Sequence, residues 1–419
     1  MRSWPTASVR HERGRCAWRC VSLYAVLFSA SLPAQDFQLH GYADLRAVAA
    51  SDDLSWAQGG LAKTRYGGDD GWHFGGAALS ARWQATPGLA LVADVRVEDQ
   101  SHSRVSLVEA FARYRPVSTS AWRWSFKAGE FFPPISLEND GVGWTSLWTL
   151  SSSALNTWVG EELRIFGAEA RLEHRGDDGS TLEFAGALFQ ANDPAGEILF
   201  ARGWALGDLV SGIGSRLREA DVYAQSIGVA PPRRYDPFLE NDDRVGFYAD
   251  VTWRAPQFGR ITALYYDNRA DPSTYHTFNH GDELFSWRTH FSSLGAQTAI
   301  GGVTLLGQAM VGTTEIAPPG FRGEAHFASA YVLAGWELGA WRPAVRIDAF
   351  TTREDPAFPP ALSEHGNALT VALNWRPQEW VRLTGEVLRV DSTRDQRIAL
   401  GLAPHRVDTQ LQFNARILF

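Results

Sequence analysis

The last fifteen residues, His405 to Phe419, constrain the fold more than any other stretch. Val407, Thr409, Leu411, Phe413, Ala415, Ile417 and Phe419 fall on one face of an extended chain, and Arg406, Asp408, Gln410, Gln412, Asn414 and Arg416 fall on the other. A period of two marks a strand whose faces meet different surroundings. A soluble strand can alternate in this way, but it seldom stops on a bare aromatic with no polar tail. Here the apolar face suits lipid and the polar face suits water.

Residues 1–34 read as a secretory signal. Arg2, Arg10, Arg13, Arg15 and Arg19 form a basic start, and Val21 to Leu32 give an apolar run of twelve residues, too short to cross a bilayer as a helix. Pro33-Ala34 would be the cleavage site, and the long basic region leaves open a start codon further downstream; a retained anchor is the alternative. Both cysteines, Cys16 and Cys20, lie in this segment, so residues 35–419 would contain no disulfide. Removing five arginines and Glu12 with the signal shifts the net charge from -8 to about -12, which disfavours nucleic acid as a partner. Lys63 and Lys127 are the only lysines. No later stretch is apolar for long enough to form a membrane helix.

From 35 to 419 the chain divides into about sixteen alternating segments, with fourteen or eighteen left open by irregular stretches at 180–191 and 284–300. Their connections follow a rule. Tight turns at Pro87-Gly88, Arg175 to Gly179, Ala255 to Gly259, Gly301-Gly302, Leu338-Gly339 and Pro377-Gln378 alternate with longer links, chiefly 51–72, 131–162 and 192–242; one long-side link, near 100–103, is short. Barrels of the bacterial outer membrane put turns on the periplasmic side and loops outside. Near the tight turns lie Trp83, Tyr114, Trp122, Trp124, Trp253, Trp336, Trp341, Trp375 and Trp380, an arrangement suited to an interfacial girdle. A sheet crossing lipid must close, because edge N–H and C=O groups would find no partner there. The expected fold is therefore all-β, a transmembrane antiparallel β-barrel of residues 35–419, wide enough to enclose water. The terminal Phe419 resembles the assembly signal of outer-membrane barrels, which implies the barrel-assembly machinery, membrane lipid and lipopolysaccharide as partners.

If apolar faces point outward, Glu109, Arg113, Arg115, Arg123, Lys127, Glu169, Arg171, Asp250, Arg254, Arg346, Asp348, Arg382, Glu386 and Arg416 line the lumen. Val108, Ala110, Ala112 and Tyr114 are expected to face lipid. An Arg or Lys turned to the lipid midplane would cost about 2–4 kcal/mol. The inward charges either solvate the wall and pair with one another, or make a basic ladder of Arg113, Arg115, Arg123 and Lys127 that eases anion passage. The loop 131–162 carries Phe131, Phe132, Pro133, Pro134, Glu138, Asp140, Trp144, Trp148 and Trp158. So many aromatic residues call for a surface to pack on. Folding into the lumen as a constriction is one solution, and capping the barrel or packing at a subunit contact is the other. The loop 192–242 is long enough for a short helix around Ser215 to Gln225 that would cover the mouth.

The run Lys127-Ala-Gly-Glu-Phe-Phe-Pro-Pro-Ile-Ser-Leu-Glu138, with Ser153 to Glu162 and Leu388 to Ser392, resembles the phosphate-selective porin family and its proteobacterial relatives. That resemblance implies a sixteen-stranded outer-membrane barrel, commonly a homotrimer, passing small hydrophilic solutes by diffusion. Phe132 stands where the family often has Lys, so a phosphate ladder does not carry over.

Two rivals remain. An outer-membrane phospholipase or protease would need a nucleophile, a base and an orienting group together. The histidines at 276, 280, 290 and 326 sit in no such motif, so no catalytic residue is expected. A non-conducting adhesion barrel is the other rival. No cofactor or metal site is expected, the pairs Asp52-Asp53, Asp69-Asp70 and Asp242-Asp243 being read as solvated loop charge.

Overall fold

A computed structural model of the chain describes residues 37–99, 105–222, 232–278, 282–320, 322–355 and 361–419. The segment read as a signal, 1–34, and the link near 100–103 lie outside the described residues. Sixteen strands form one closed antiparallel barrel. They are β1 (Phe37–Ala50), β2 (Gly71–Thr86), β3 (Leu89–Val97), β4 (Val105–Tyr114), β5 (Trp122–Phe131), β6 (Ile165–Arg175), β7 (Thr181–Gln190) and β8 (Gly246–Ala255). The second half comprises β9 (Gly259–Asp267), β10 (Arg288–Ile300), β11 (Val303–Ile316), β12 (Gly323–Trp336), β13 (Trp341–Asp355), β14 (Glu364–Gln378), β15 (Val381–Arg394) and β16 (His405–Leu418).

Every strand pairs with its neighbours in sequence, and β1 pairs with β16 from Tyr42 opposite Leu418 to Ala50 opposite Gln410. Gly41 N–H donates to the Phe419 carbonyl at 2.7 Å, and Phe419 N–H returns a bond to Gly41 at 3.0 Å. The seam therefore leaves no edge across the closure, as a bilayer requires. Alternation decides which face each residue takes. Leu411, Phe413 and Ile417 are 52%, 52% and 54% exposed on the outer wall, whereas Gln412 and Asn414 are buried inside. The outward aromatics Trp83, Tyr114, Trp122, Trp124, Trp253, Trp341, Trp375 and Trp380 ring the turn end, with Trp336 half-buried among them. This wall is a transmembrane surface: an apolar band edged by indoles.

The turn between β10 and β11 shows why glycine is needed at this end. Ile300 pairs with Val303 across Gly301 (φ 58°) and Gly302 (φ 82°), the two left-handed residues of a type I′ hairpin. One strand departs from simple alternation. Opposite Asp94 and Val95, a bulge in β4 lets Glu109 and Leu107 pair while Val108 is passed over. Val108 consequently joins the interior core, a correction to the lipid-facing position expected from periodicity.

The interior is filled further than strand number alone implies. The loops 51–70 and 132–164 and the segment 191–222 enter the barrel, as the burial of nearly all of 55–67, 145–165 and 192–211 shows. The second of these carries helix α1 (Ala154–Glu162), and the third carries α2 (Glu197–Ala201). Leu155, Trp158 and Val159 of α1 pack against Phe291 of β10, Phe327 of β12 and Trp204 of the third inserted loop. The apolar core thus lies inside the barrel, built from inserted loops and inward aromatic side chains. A helix expected around 215–225 is absent among the described residues there: Leu217–Arg218 instead pairs with Arg234–Tyr235, and 223–231 lie outside the described residues. Where β5 turns inward at Phe131, upper β4 lacks a β5 partner, and Ile213 N–H donates to the Leu107 carbonyl at 2.8 Å in its place.

Candidate solute pathway

The wall from β4 to β8 carries nine of the expected lining residues. Glu109 accepts the Phe132 N–H at 2.9 Å, where the chain leaves β5 for the lumen. Lys127 lies 3.6 Å from Glu169 and 3.8 Å above the Phe131 ring. Arg171 bridges Glu169 at 3.2 Å and Glu183 at 2.6 Å, and Tyr248 donates its hydroxyl to Glu169. Arg115 and Arg254 stand 3.7 Å from Glu173 and Glu183 respectively, while Asp250 accepts the Thr262 hydroxyl at 2.8 Å. Arg113, Arg115, Arg123, Lys127 and Arg171, with Glu169, Glu173 and Glu183, border a cavity of about 230 Å³ near the tight turns.

The opposite wall is different. Arg346 is completely buried, bound to Asp348 at 2.9 Å and to Glu138 of the inserted loop at 3.2 Å. It also donates to the Ser151 and Ser152 carbonyls at 2.6 and 2.9 Å. Asp348 accepts the Ala154 N–H at 3.1 Å, and Glu386 accepts those of Leu150 and Ser151 at 2.6 and 3.1 Å. Arg382 donates to the Ser146 carbonyl, and Arg416 grips Asp44 through two bonds of 2.6 Å. These residues do face inward, but Arg346, Asp348, Arg382 and Glu386 are covered by the loop rather than by open water. The physical reason is that a loop taken into the barrel brings peptide groups that need partners, and inward charges supply them.

Within that loop Phe132 stacks on Trp144 with ring centres 3.6 Å apart, and the Arg164 guanidinium sits 3.2 Å from the Phe132 ring centre. Phe131 and Pro133 are buried, Pro134 is half-buried, and Trp148 lies against Gly335, where a Cβ would meet its ring at 2.3 Å. Glu138 accepts the Ser153 N–H and the Asn156 amide, both at 2.8 Å. Asp140 alone of the group is exposed, 4.0 Å from Arg260. Ser153 caps α1 by accepting the Asn156 N–H at 3.2 Å, and Asp348 stands at the same helix end. A serine followed by a helix-forming run was the available signal for this helix.

Sequence reasoning missed the ionic cluster that fastens the other two loops. Asp208 accepts Arg46 at 2.6 Å and Arg65 at 2.7 Å, while Arg65 also reaches Glu98 at 3.1 Å. Arg96 donates to the carbonyls of Gly143 and Asp208, and Lys63 pairs with Glu364 at 2.6 Å. Burial opposes ionisation of Asp208, but Arg46 and Arg65 outweigh it and hold the carboxyl far below its usual range. Burial pulls the Lys63 ammonium down to about 7 against the upward pull of Glu364. Burial pushes the Glu161 carboxyl up to about 7, although Arg202 opposes this. At the rim Asp193, Glu240 and Asp242 bring ligand oxygens within 4.8 Å of one another, yet they already accept peptide N–H groups of Asn241, Ala191 and Arg244.

Solved structures repeat this architecture. The outer membrane channel DcaP of Acinetobacter baumannii superposes with a TM-score of 0.54 at 10% identity, covering 91% of this chain and 97% of that one. The chain has the fold of outer-membrane channel barrels. The anion-selective porin from Comamonas acidovorans (TM-score 0.50, 13% identity, 91% and 99% covered) shares it. So does the loop L8 deletion mutant of OmpT, an outer membrane protein of Vibrio cholerae (TM-score 0.50, 10% identity, 91% and 99% covered). No protein-family model matches the sequence, and no curated protein does.

Proposed function

We propose that this protein is a porin of the bacterial outer membrane that passes small hydrophilic solutes by diffusion, without catalysis. The observation that supports this most is the pairing of a closed sixteen-strand wall with a charged inner face, into which the loop 132–164 projects. That loop sets the size limit. Phe132 to Trp148 form the constriction, fixed from below by Glu138 on Arg346. Residues 1–34 serve as a cleaved export signal, and Phe419, hydrogen-bonded into the closing seam, serves as the signal for assembly. The resemblance around Lys127 to Glu138 suggests descent from the same stock as the phosphate-selective porins, and a homotrimer set among lipid and lipopolysaccharide follows from that reading.

Three inserted loops make the opening small. In liposomes loaded with the purified protein, swelling in glycerol should be fast, and swelling in a disaccharide should be close to that of empty vesicles. Equal exclusion of both solutes would overturn the reading.

A further inference from the structure

One seam of the wall differs from its neighbours. β5 and β6 pair along their whole shared length, from Trp122 opposite His174 to Phe131 opposite Ile165. β4 and β5 share only the rungs from Tyr114 opposite Phe126 to Ala110 opposite Glu130. Above Ala110, β4 runs on to Val105 while β5 turns inward. Gly212-Ile213-Gly214 fills the place, and among the described residues one backbone hydrogen bond ties it to β4, from Ile213 N–H to the Leu107 carbonyl. A Cβ on Gly212 would meet that carbonyl at 2.2 Å, and Gly214 is left-handed at φ 86°, so the approach requires glycine on both sides of Ile213. On the last β4–β5 rung, both carboxylate oxygens of Glu130 are buried without a hydrogen bond, which weighs against the closed arrangement.

The seam lies at membrane depth. From Tyr114 of the turn-side girdle to Leu107, at about 3.3 Å per residue on a strand tilted by roughly 40°, is a climb of about 15–18 Å, within an apolar band about 25 Å tall. Irregular backbone is tolerated at that depth only where protein or a cavity covers it. Ile213 is nevertheless 53% exposed, and its pairing with Leu107 puts its side chain on the outer face, beside Val105 at 58% and Phe166 at 62%. On the inner side, Val108, Phe131, Phe132 and Val210 belong to the interior apolar core. Apolar surface thus continues through the seam from lipid to lumen.

We propose that Gly212 to Gly214 form a lateral door that admits an amphiphile with a hydrocarbon tail from the outer leaflet into the barrel. The loop end of such a barrel faces outward, so the door gives onto that leaflet. Releasing the segment from β4 breaks a single bond, whereas parting β5 from β6 would break a ladder. A tail entering here exchanges lipid for the aromatic core without crossing water. Hydrophilic solutes take the barrel axis instead, so this passage is separate from the diffusion reading.

The test uses the intact barrel in phosphatidylcholine liposomes. Residues 35–419 contain no cysteine, so L107C/I213C puts one pair at the seam, in a directly paired position that a disulfide can bridge. The probe is decanoic acid carrying a photoactivatable diazirine, and peptide mass spectrometry reads its adducts. Oxidation should lower adducts within 131–163 at least about five-fold and reduction should restore them, while adducts at Phe166 and Leu188 on the outer wall stay constant. As a second arm, G212A should raise the interior adducts at least about three-fold without oxidant, because its methyl group displaces the segment from Leu107. Interior adducts equal in the oxidised and reduced forms, or absent from both, would overturn the door. So would a pair that fails to cross-link, or a G212A barrel labelled like the parent. Glycerol swelling should be the same with the door locked or free; its absence from both would end the diffusion reading and leave the door in place.

Discussion

At the scale of single residues, Arg346 shows how a lumen charge became a structural anchor. Its guanidinium is fully buried, meets Asp348 and Glu138, and donates to two carbonyls of the inserted loop. Arg346→Ala removes one partner from a buried set and leaves two carboxylates without their cation, which should cost about 3–5 kcal/mol. Limited proteolysis checks this: cleavage within 132–164 should appear in the variant at a protease dose that spares the parent. Protection equal to the parent's would show that the loop is held elsewhere. Alternation in β13 placed Arg346 on the inner face from sequence alone. Its burial was illegible, because nothing local in β13 reports a loop whose Ser151 and Ser152 carbonyls reach it from 195 and 194 residues away. Val108 failed for a different reason: a bulge adds one residue to β4, and period-two reasoning cannot see it without the partner strand.

At the scale of elements, the inserted loops should respond to pH. Burial pushes Glu161 of α1 up to about 7, and burial with Glu240 and Asp242 nearby does the same to Asp193 at the start of the third inserted loop. In a displaced loop these groups return to 4.5 and 3.8. A docked state that holds protons more tightly gains stability as pH falls from about 7 towards those values. Asp208 has the opposite sign, since its depressed value favours docking at every pH above 3.8 and fails only in strong acid. Lys63, lowered from 10.5 to about 7, costs the docked state progressively as pH falls across that range and adds nothing further below it. Between about pH 7 and about pH 5 the net effect is tighter docking. Conductance should therefore fall as the bath is acidified through this window, and a rise would contradict the docking scheme. The entry of 131–162 into the lumen was one of two readings available from its aromatics. Which one holds depends on partners in β12 to β15, such as Gly335 against Trp148, and those become neighbours only after closure.

At the scale of the whole molecule, closure and interior filling separate what was legible from what was not. The sixteen strands, the alternation of turns with loops and the turn-side girdle follow from local rules of pleat, turn and interface, so their pattern is written along the chain. The filled lumen depends on Asp208 finding Arg46 and Arg65, three residues from three elements with no shared motif. Single-channel recording of the intact barrel in planar bilayers tests the central claim most directly, with a deletion of 195–220 as its companion. Small discrete conductance steps in the intact barrel, enlarged by the deletion, are the expected result. Silent bilayers for both proteins, each verified as folded and inserted, would contradict a diffusion channel narrowed by its own loops.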